Sequence, residues 1–268
     1  MTDKNKLPAG RIGTLAKNGV GWIVIDNPER KNAISGGMFR AIVEAVDKFE
    51  GDEAVRVIVL RGAGNEFFSA GADLTEVSAL DRTEEQIRVF EDALFGALTA
   101  LETCRKPTMA MLQGLWIGGA SALAMSCDLR IAAEDARFAL TPAKLALAYD
   151  YKNTKKLVDL VGPGFAKEIL LTARQFTAGE TLAMGLVNKV VSKAELESTV
   201  LDYAKRMAAN APLSMLASKR AIEAALRDEE GKDLSDVEAA IAAARDSADA
   251  EEGKRAVLEK RPPNYTGR

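Results

Sequence analysis

Gln113-Gly-Leu-Trp-Ile-Gly-Gly-Ala-Ser-Ala-Leu-Ala-Met-Ser-Cys-Asp128 is the stretch that decides how the rest of the chain is read. Ahead of it, Pro107 is followed by Thr108-Met-Ala-Met-Leu112, a short apolar run that reads as a buried strand. From Gly119 on, small and apolar residues suit a helix buried on most sides. Gly118-Gly119 is the join, and glycine there permits backbone angles that a side chain resists. The first N–H groups of such a helix have no intrahelical acceptor, and the helix dipole favours negative charge beside them. A thioester oxygen at that point would be stabilised as an enolate. The same two glycines equally suit plain close packing.

A second stretch has the same grammar. Ala54-Val-Arg-Val-Ile-Val-Leu-Arg61 is a strongly β-branched strand candidate, and it is followed by Glu66-Phe-Phe-Ser-Ala-Gly-Ala-Asp-Leu74. Two strand ends, each finishing in small residues, can each aim one backbone N–H at a common oxygen. Periodicity does not say that they meet.

Composition narrows the classes. The chain has 268 residues, 47% of them hydrophobic and 28% charged, enough for one large domain or a domain with an appendage. Its net charge of −3 and the lack of a basic block argue against nucleic acid as a partner. No run of 18 or more apolar residues is present, so no membrane span is expected. The start, Met-Thr-Asp-Lys-Asn-Lys, has no signal-peptide core, and Cys104 and Cys127 form no disulfide framework; a cytoplasmic location is expected. Cys127 sits among apolar residues and reads as an inert core thiol. The sequence contains no histidine. That excludes a Ser-His-Asp or Cys-His hydrolase and any histidine-ligated metal, and no other metal-ligand cluster stands out. Proton transfer must use Asp, Glu, Tyr, Lys, Cys or water.

Along the chain, Arg11–Lys17 and Val20–Asp26 read as strands around the hairpin signal Asn18-Gly19. Ser35 is placed to cap a helix from Gly36 to about Glu50. Thr83 to Glu102 is a long amphipathic helix, with Ile87, Phe90, Leu94, Leu98 and Leu101 at helical spacing. Asp128–Ala133, Ala136–Ala139 and Leu186–Val191 read as strands, and Phe165–Thr172 as a helix that follows Gly162-Pro-Gly164. Ala194–Ala209, Pro212–Leu226 and Asp233–Asp246 are helical patterns. Asp228-Glu-Glu230 and Asp249-Ala-Glu-Glu252 read as solvated charge runs. The order of elements predicts a layered α/β core, and the composition shift divides residues 1–200, the core, from 201–268, a helical appendage.

Five segments, in order, resemble the crotonase superfamily, the enoyl-CoA hydratase/isomerase family. They are Asn27–Ile34, Phe68–Leu74, Gln113–Asp128, Leu170–Arg174 with Ala183–Asn188, and the tail Leu258–Arg268. The resemblance spans nearly the whole chain. It implies an α/β spiral of ββα units that binds acyl-CoA, with a C-terminal helical region that packs between subunits in a homotrimer or homohexamer. It makes Ala72 and Gly119 the oxyanion-hole donors. Coenzyme A enters as part of the substrate, with no separate cofactor and no metal. Arg30 and Lys31 fall in the family's nucleotide-contacting loop, and Lys260 in a tail that reaches the ligand. Ala70, Asp73 and Leu74 flank Ala72 in the coenzyme A-binding segment, where Asp73 also serves the loop's structure. Val77, Leu80 and Phe90 fall where the family borders its acyl pocket.

The chain departs from the family where its hydratases carry two glutamates. The first lies three residues after the oxyanion glycine, which here is Ala122. The second follows the proline of Phe138-Ala-Leu-Thr-Pro142, and here is Ala143. Alanine transfers no proton, so ordinary hydration and isomerisation lose their usual groups. Thr141-Pro-Ala-Lys-Leu-Ala-Leu-Ala-Tyr149 is similar in spacing to the methylmalonyl-CoA decarboxylase branch, which places Thr141 and Tyr149 on that branch's active-site positions. That branch has histidine where Ala72 stands and glutamate where Ala122 stands. Decarboxylation of a malonyl-type thioester needs no base; it needs an oxyanion hole and a site that weakens the carboxylate's solvation. Three readings stay open. Tyr149 serves a decarboxylase, or is a half-buried aromatic with its hydroxyl in water. Asp150 is a displaced acid of a hydratase or isomerase, or a solvated loop residue. The whole chain is a non-catalytic acyl-CoA binder.

Overall fold

Asn18 and Gly19, both at positive φ (53° and 77°), turn the chain between β1 (Arg11–Lys17) and β2 (Val20–Asp26), as expected of a twisted two-residue hairpin. The pair is antiparallel in register Arg11↔Asp26 to Lys17↔Val20. The computed structural model describes residues 10–73, 76, 83–145, 149–226, 235, 239, 242–244, 246–259 and 261–268. β2 then pairs in parallel with β3 (Val57–Gly62), which pairs with β4 (Thr108–Leu112), β6 (Leu129–Ala133) and β9 (Lys189–Val191) in turn. Between these strands the chain leaves for a second sheet of β5 (Leu115–Ile117), β7 (Arg137–Ala139) and β8 (Phe176–Thr177). This alternation between two sheets, with helices interposed, is the spiral of ββα units that the resemblance implies.

The parallel strands bury both faces, and alternate residues divide between two cores. Ile58 and Leu60 of β3, and Ala110 and Leu112 of β4, face the larger core. It is closed by α1 (Gly36–Gly51) and α2 (Glu84–Thr103), through side chains such as Phe39, Ile42, Leu98 and Leu101. Val57, Val59, Met109 and Met111 face the other way, onto Leu196, Val200 and Ala204. Each such side chain contributes about 1.5–3 kcal/mol on burial. Ser35 caps α1 by accepting from Met38 N, and Thr83 with Gln86 forms a capping box on α2.

Several boundaries differ from the sequence reading. The strand at Thr108–Leu112 does not run straight into the helix. Gly114 turns it into β5, and only then does α3 (Gly119–Ser126) begin. β3 starts at Val57 because Val55 N and Arg56 N are taken by Asp52 O and Gly19 O. The helix expected from Phe165 is the second half of α4 (Tyr151–Thr172), which passes through Gly162-Pro163 with a break at Gly162 (φ 74°, ψ 165°). Leu186 and Val187 are not strand; both N–H groups close on Thr181 O, after α5 (Ala178–Ala183).

α6 (Leu196–Ala208) crosses residue 200 and lies on the second core, and α7 (Pro212–Ala225) follows. The helical pattern Asp233–Asp246 and the run Asp228–Glu230 lie largely or wholly outside the described residues. The run at Asp249 is solvated charge at Glu251 but not at Asp249. It belongs to α8 (Ala248–Glu259), and Asp249 is 2% exposed and accepts from Thr266 N and Gly267 N, each at 2.7 Å. Among the described residues, no helix is long and apolar enough to cross a membrane.

Candidate active site

The loop after β3 is stitched down on both sides. Phe68 N and Ser69 N donate to Gln113 O and Leu115 O, and Ile117 N donates back to Ser69 O. On the other side, Ala70 N donates to Lys31 O, Ile34 N to Gly71 O, and Asp73 N to Ile34 O. Gly71 N turns onto Ser69 Oγ at 3.0 Å. This pattern skips Ala72 N. Gly71 holds φ 99°, and a β-carbon there would lie 2.5 Å from Ile117 O, so the close approach of this loop to β5 requires glycine.

Gly118, at φ 57° and ψ −121°, turns β5 into α3, and its N–H donates to Ala139 O. Ser121 Oγ, 2.8 Å from Trp116 O and 3.3 Å from Ala139 O, pins the first turn of α3 to the second sheet. Gly119 is therefore the first residue of a fixed helix. Its N–H lies close to Ala72: a β-carbon on Gly119 would be 3.5 Å from Ala72 N, and one on Gly71 would be 3.5 Å from Gly119 N. Among the described residues, neither the Ala72 nor the Gly119 N–H finds a protein acceptor. The two strand ends do meet, and they leave two donors side by side at a helix N-terminus, where negative charge is favoured.

These donors open into a cavity of about 390 Å³. Ala70, Ala72 and Gly119 line it together with Thr141, Tyr149 and Asp150, so six of the expected site residues share one space. Ile87, Phe90 and Leu94 bring one face of α2 to the same wall, so that part of the helix's apolar stripe is pocket rather than core. Ala122 lines the cavity, while Ala143 is exposed and does not.

The Tyr149 hydroxyl is shut away from solvent and has no hydrogen-bond partner, contrary to a hydroxyl in water. Burial first, and the neighbouring Asp150 charge second, push its pKa up, so it stays a neutral donor. Asp150 is not a free loop carboxylate. It is the N-cap of α4; Oδ1 accepts from Asn153 N at 3.0 Å and Oδ2 from Asn153 Nδ2 at 2.7 Å.

Sequence reading missed two further carboxylates on the wall, Glu76 and Glu91. Glu76 Oε2 accepts from Gly36 N at the start of α1. Glu91 lies four residues after Ile87 and three before Leu94, inside the pocket-facing stripe, and that spacing was the available signal.

The positions expected to meet coenzyme A divide. Arg30 and Asp73 form an ion pair at 2.6 Å that ties the β2–α1 connection to the Ala72 loop. Lys31 Nζ lies 5.8 Å from the centre of the Phe67 ring. Neither basic residue lines the cavity. Leu74, Val77, Leu80 and Lys260 lie outside the described residues. Cys127 is buried away from the cavity, and burial pushes its thiol up to about 12, which leaves it unreactive. Among the described residues, no group of three or more His, Cys, Asp or Glu side chains could hold a metal ion.

A fold that spirals between two sheets and leaves two backbone N–H groups side by side at a helix N-terminus has close counterparts. The family model for enoyl-CoA hydratase/isomerase matches residues 15–268. The chain is 33% identical over 249 residues to the short-chain-enoyl-CoA hydratase of Clostridium acetobutylicum, covering 92% of this chain and 94% of that one. It is 35% identical over 208 residues to the peroxisomal Delta(3,5)-Delta(2,4)-dienoyl-CoA isomerase of Arabidopsis thaliana, covering 74% of each. The crystal structure of a protein from Hyphomonas neptunium described as an enoyl-CoA hydratase/isomerase family protein superposes with a TM-score of 0.90. It is 35% identical, over 96% of this chain and 98% of that one. The chain belongs to the enoyl-CoA hydratase/isomerase family, and is an acyl-CoA enzyme of the hydratase-type lyase or isomerase kind.

Proposed function

We propose that the chain stabilises the enolate of a coenzyme A thioester between Ala72 N–H and Gly119 N–H, and uses it to decarboxylate a malonyl-type thioester. The observation that carries the reading is Tyr149: it lines the cavity with the two donors and its hydroxyl is buried and unpartnered, while the hydratase glutamate positions hold Ala122 and Ala143. A neutral donor in a site that lacks both hydratase glutamates suits a reaction that needs no proton removed at the start. The bond between the α-carbon and the carboxylate breaks, and its electron pair moves into the thioester as the enolate. Carbon dioxide leaves, and the α-carbon then takes a proton. Tyr149 and Thr141 orient the carboxylate in a poorly solvated site, and Tyr149 is the group positioned to hand over the proton. Arg30, Lys31 and Lys260 would meet the phosphates of coenzyme A, Arg30 while also holding Asp73. A homotrimer or homohexamer in the cytoplasm is the assembly and location this reading carries.

A second reading rests on Asp150, a carboxylate on the same wall, and on relatives named as hydratases and an isomerase. Asp150 would then move protons for hydration or double-bond migration after releasing Asn153. Incubation with methylmalonyl-CoA, ethylmalonyl-CoA and crotonyl-CoA, followed by mass spectrometry, separates the two. Loss of carbon dioxide that disappears in Tyr149→Phe supports decarboxylation. Water gain by crotonyl-CoA that disappears in Asp150→Asn supports the second reading. Tight binding with no conversion of any thioester would leave a binder.

A further inference from the structure

Behind the cavity, three helices meet at a partly buried polar cluster that the sequence did not announce. Lys156 of α4 contacts Glu102 of α2, and its Nζ lies 2.8 Å from Ser126 Oγ on α3. Ser126 Oγ is 3.2 Å from Glu102 Oε1 and 2.9 Å from Ala122 O, the carbonyl of a cavity-lining residue. Lys152, one turn earlier on α4, pairs with the other Glu102 oxygen at 3.1 Å. The Lys156 side chain is 17% exposed and that of Glu102 22%. These are the helices that form the walls of the cavity.

The spacing along the chain gives the cluster its meaning. Ser126 lies seven residues after Gly119, and Lys156 seven residues after Tyr149. On α3 the cluster lies about 10 Å, or two turns, beyond Gly119; on α4 it lies less than two turns beyond the N-cap Asp150, which Tyr149 immediately precedes. A hydrogen-bonded cross-link has a narrow geometry and so favours one relative slide and rotation of the two helices. An apolar contact of the same volume would hold the helices together as well or better, and without the cost of burying charge, but would leave that slide free. Lys156 also places a cation at the C-terminal end of α3, where the helix dipole favours it.

We propose that the Lys156–Glu102–Ser126 cluster is a positioning device that holds the start of α4, and with it Tyr149 just before the N-cap Asp150, in register with the oxyanion end of α3, with Lys156 as its key member. The proposal rests on the reading of Tyr149 and Gly119 as acting on one substrate. Burial pushes the Lys156 ammonium down to about 8, so the ion pair with Glu102 loses its charge in mildly alkaline solution. Among the described residues, the charged groups joined to it in the cluster are Glu102 on α2 and, through Glu102, Lys152 on α4. Asp150, Glu76 and Glu91 lie on the cavity side.

The test needs no turnover. The chain has four tyrosines, so in protein carrying 13C in the tyrosine rings Tyr149→Phe identifies the Tyr149 signal by its disappearance. In the unmodified sequence that signal is expected to move with a midpoint near pH 8, following Lys156. Lys156→Arg, which keeps its charge, is expected to abolish the midpoint, and Lys152→Met to retain it. A Tyr149 signal that ignores pH between 7 and 9.5, or a midpoint unchanged in Lys156→Arg, overturns the proposal. Where a thioester is converted, Lys156→Met is expected to lower kcat by about tenfold to a hundredfold with KM held within about twofold, and Lys156→Arg to restore it. Full activity in Tyr149→Phe would refute the role given to Tyr149 in the reaction, while the ring signal still decides whether the cluster controls its position.

Discussion

A β-carbon built on Gly119 would stand 3.5 Å from Ala72 N and 3.7 Å from Ala72 Cβ. The two residues are 47 positions apart in sequence and lie side by side in the fold. Gly119 is the first residue of α3, a position where proline is well tolerated because its missing N–H has no helical partner to lose. Gly119→Pro is therefore expected to fold with a melting temperature close to that of the parent. It removes one of the two donors, and conversion of any thioester substrate is expected to fall by about 10²- to 10³-fold. Retained turnover in a folded Gly119→Pro protein would remove Gly119 N–H from the site.

Gly71 answers to a different physical demand. Its φ of 99° and the 2.5 Å from its missing β-carbon to Ile117 O leave no room for a side chain. Gly71→Ala is expected to destabilise the fold by about 1–3 kcal/mol from backbone strain alone, with the displaced Ile117 carbonyl adding to this. Urea unfolding would show it as a lower midpoint with an unchanged slope. Stability equal to the parent would mean that the Ser69–Asp73 loop can take up another path.

The parts of this molecule written in local chemistry were legible in the sequence. Asn18-Gly19 gave both strands of the hairpin to the residue, and Ser35 and Thr83 marked the helix starts they cap. What failed to show depends on partners far away in sequence. β5 is three residues long and is a strand only because Leu115–Ile117 lies beside Arg137–Ala139. Gly162-Pro-Gly164 did mark a break, at the non-helical Gly162, but not the helical segment that leads up to it from Tyr151. In the site, the likeness of motifs led to Ala72, Gly119, Thr141, Tyr149 and Asp150, and the fold brings these into one cavity. The isolation of the Tyr149 hydroxyl and the capping duty of Asp150 arise from packing, which no spacing rule carries. Glu76 and Glu91 stayed hidden because one comes from a connection and the other is a charged residue within an apolar helical stripe.

Arg130 bears on the far end of the oxyanion helix. Its buried guanidinium lies 2.6 Å from Cys127 O, 3.3 Å from Ala124 O and 2.7 Å from Leu186 O, and so closes the C-terminal carbonyls of α3 and holds the approach to β9. Ala124 O keeps the Cys127 N–H, but Arg130→Met would leave Cys127 O and Leu186 O buried without their guanidinium donor, at about 1–3 kcal/mol each. A loss of at least about 2 kcal/mol in urea unfolding is expected. A loss below about 1 kcal/mol would mean that water or another donor reaches these two carbonyls.

The docking of the C-terminal tail should depend on acid in a direction that can be worked out. Glu252 on α8 accepts from the Arg261 guanidinium at 2.6 Å and from Asn264 N at 2.9 Å. Arg261 first, and the Asn264 amide second, hold its carboxyl down to about 2 from an ordinary 4.5. A carboxyl whose folded value lies below its unfolded one binds fewer protons when folded, so its contribution is complete above 4.5 and is lost as the pH falls through 2. The Asn264 amide resonance reports this contact directly. It is expected to titrate with a midpoint near 2, and the step is expected to vanish in Glu252→Gln. A midpoint near 4.5 would mean that the tail does not hold Glu252 in solution, and that residues 261–268 leave α8 before the rest of the protein responds to acid.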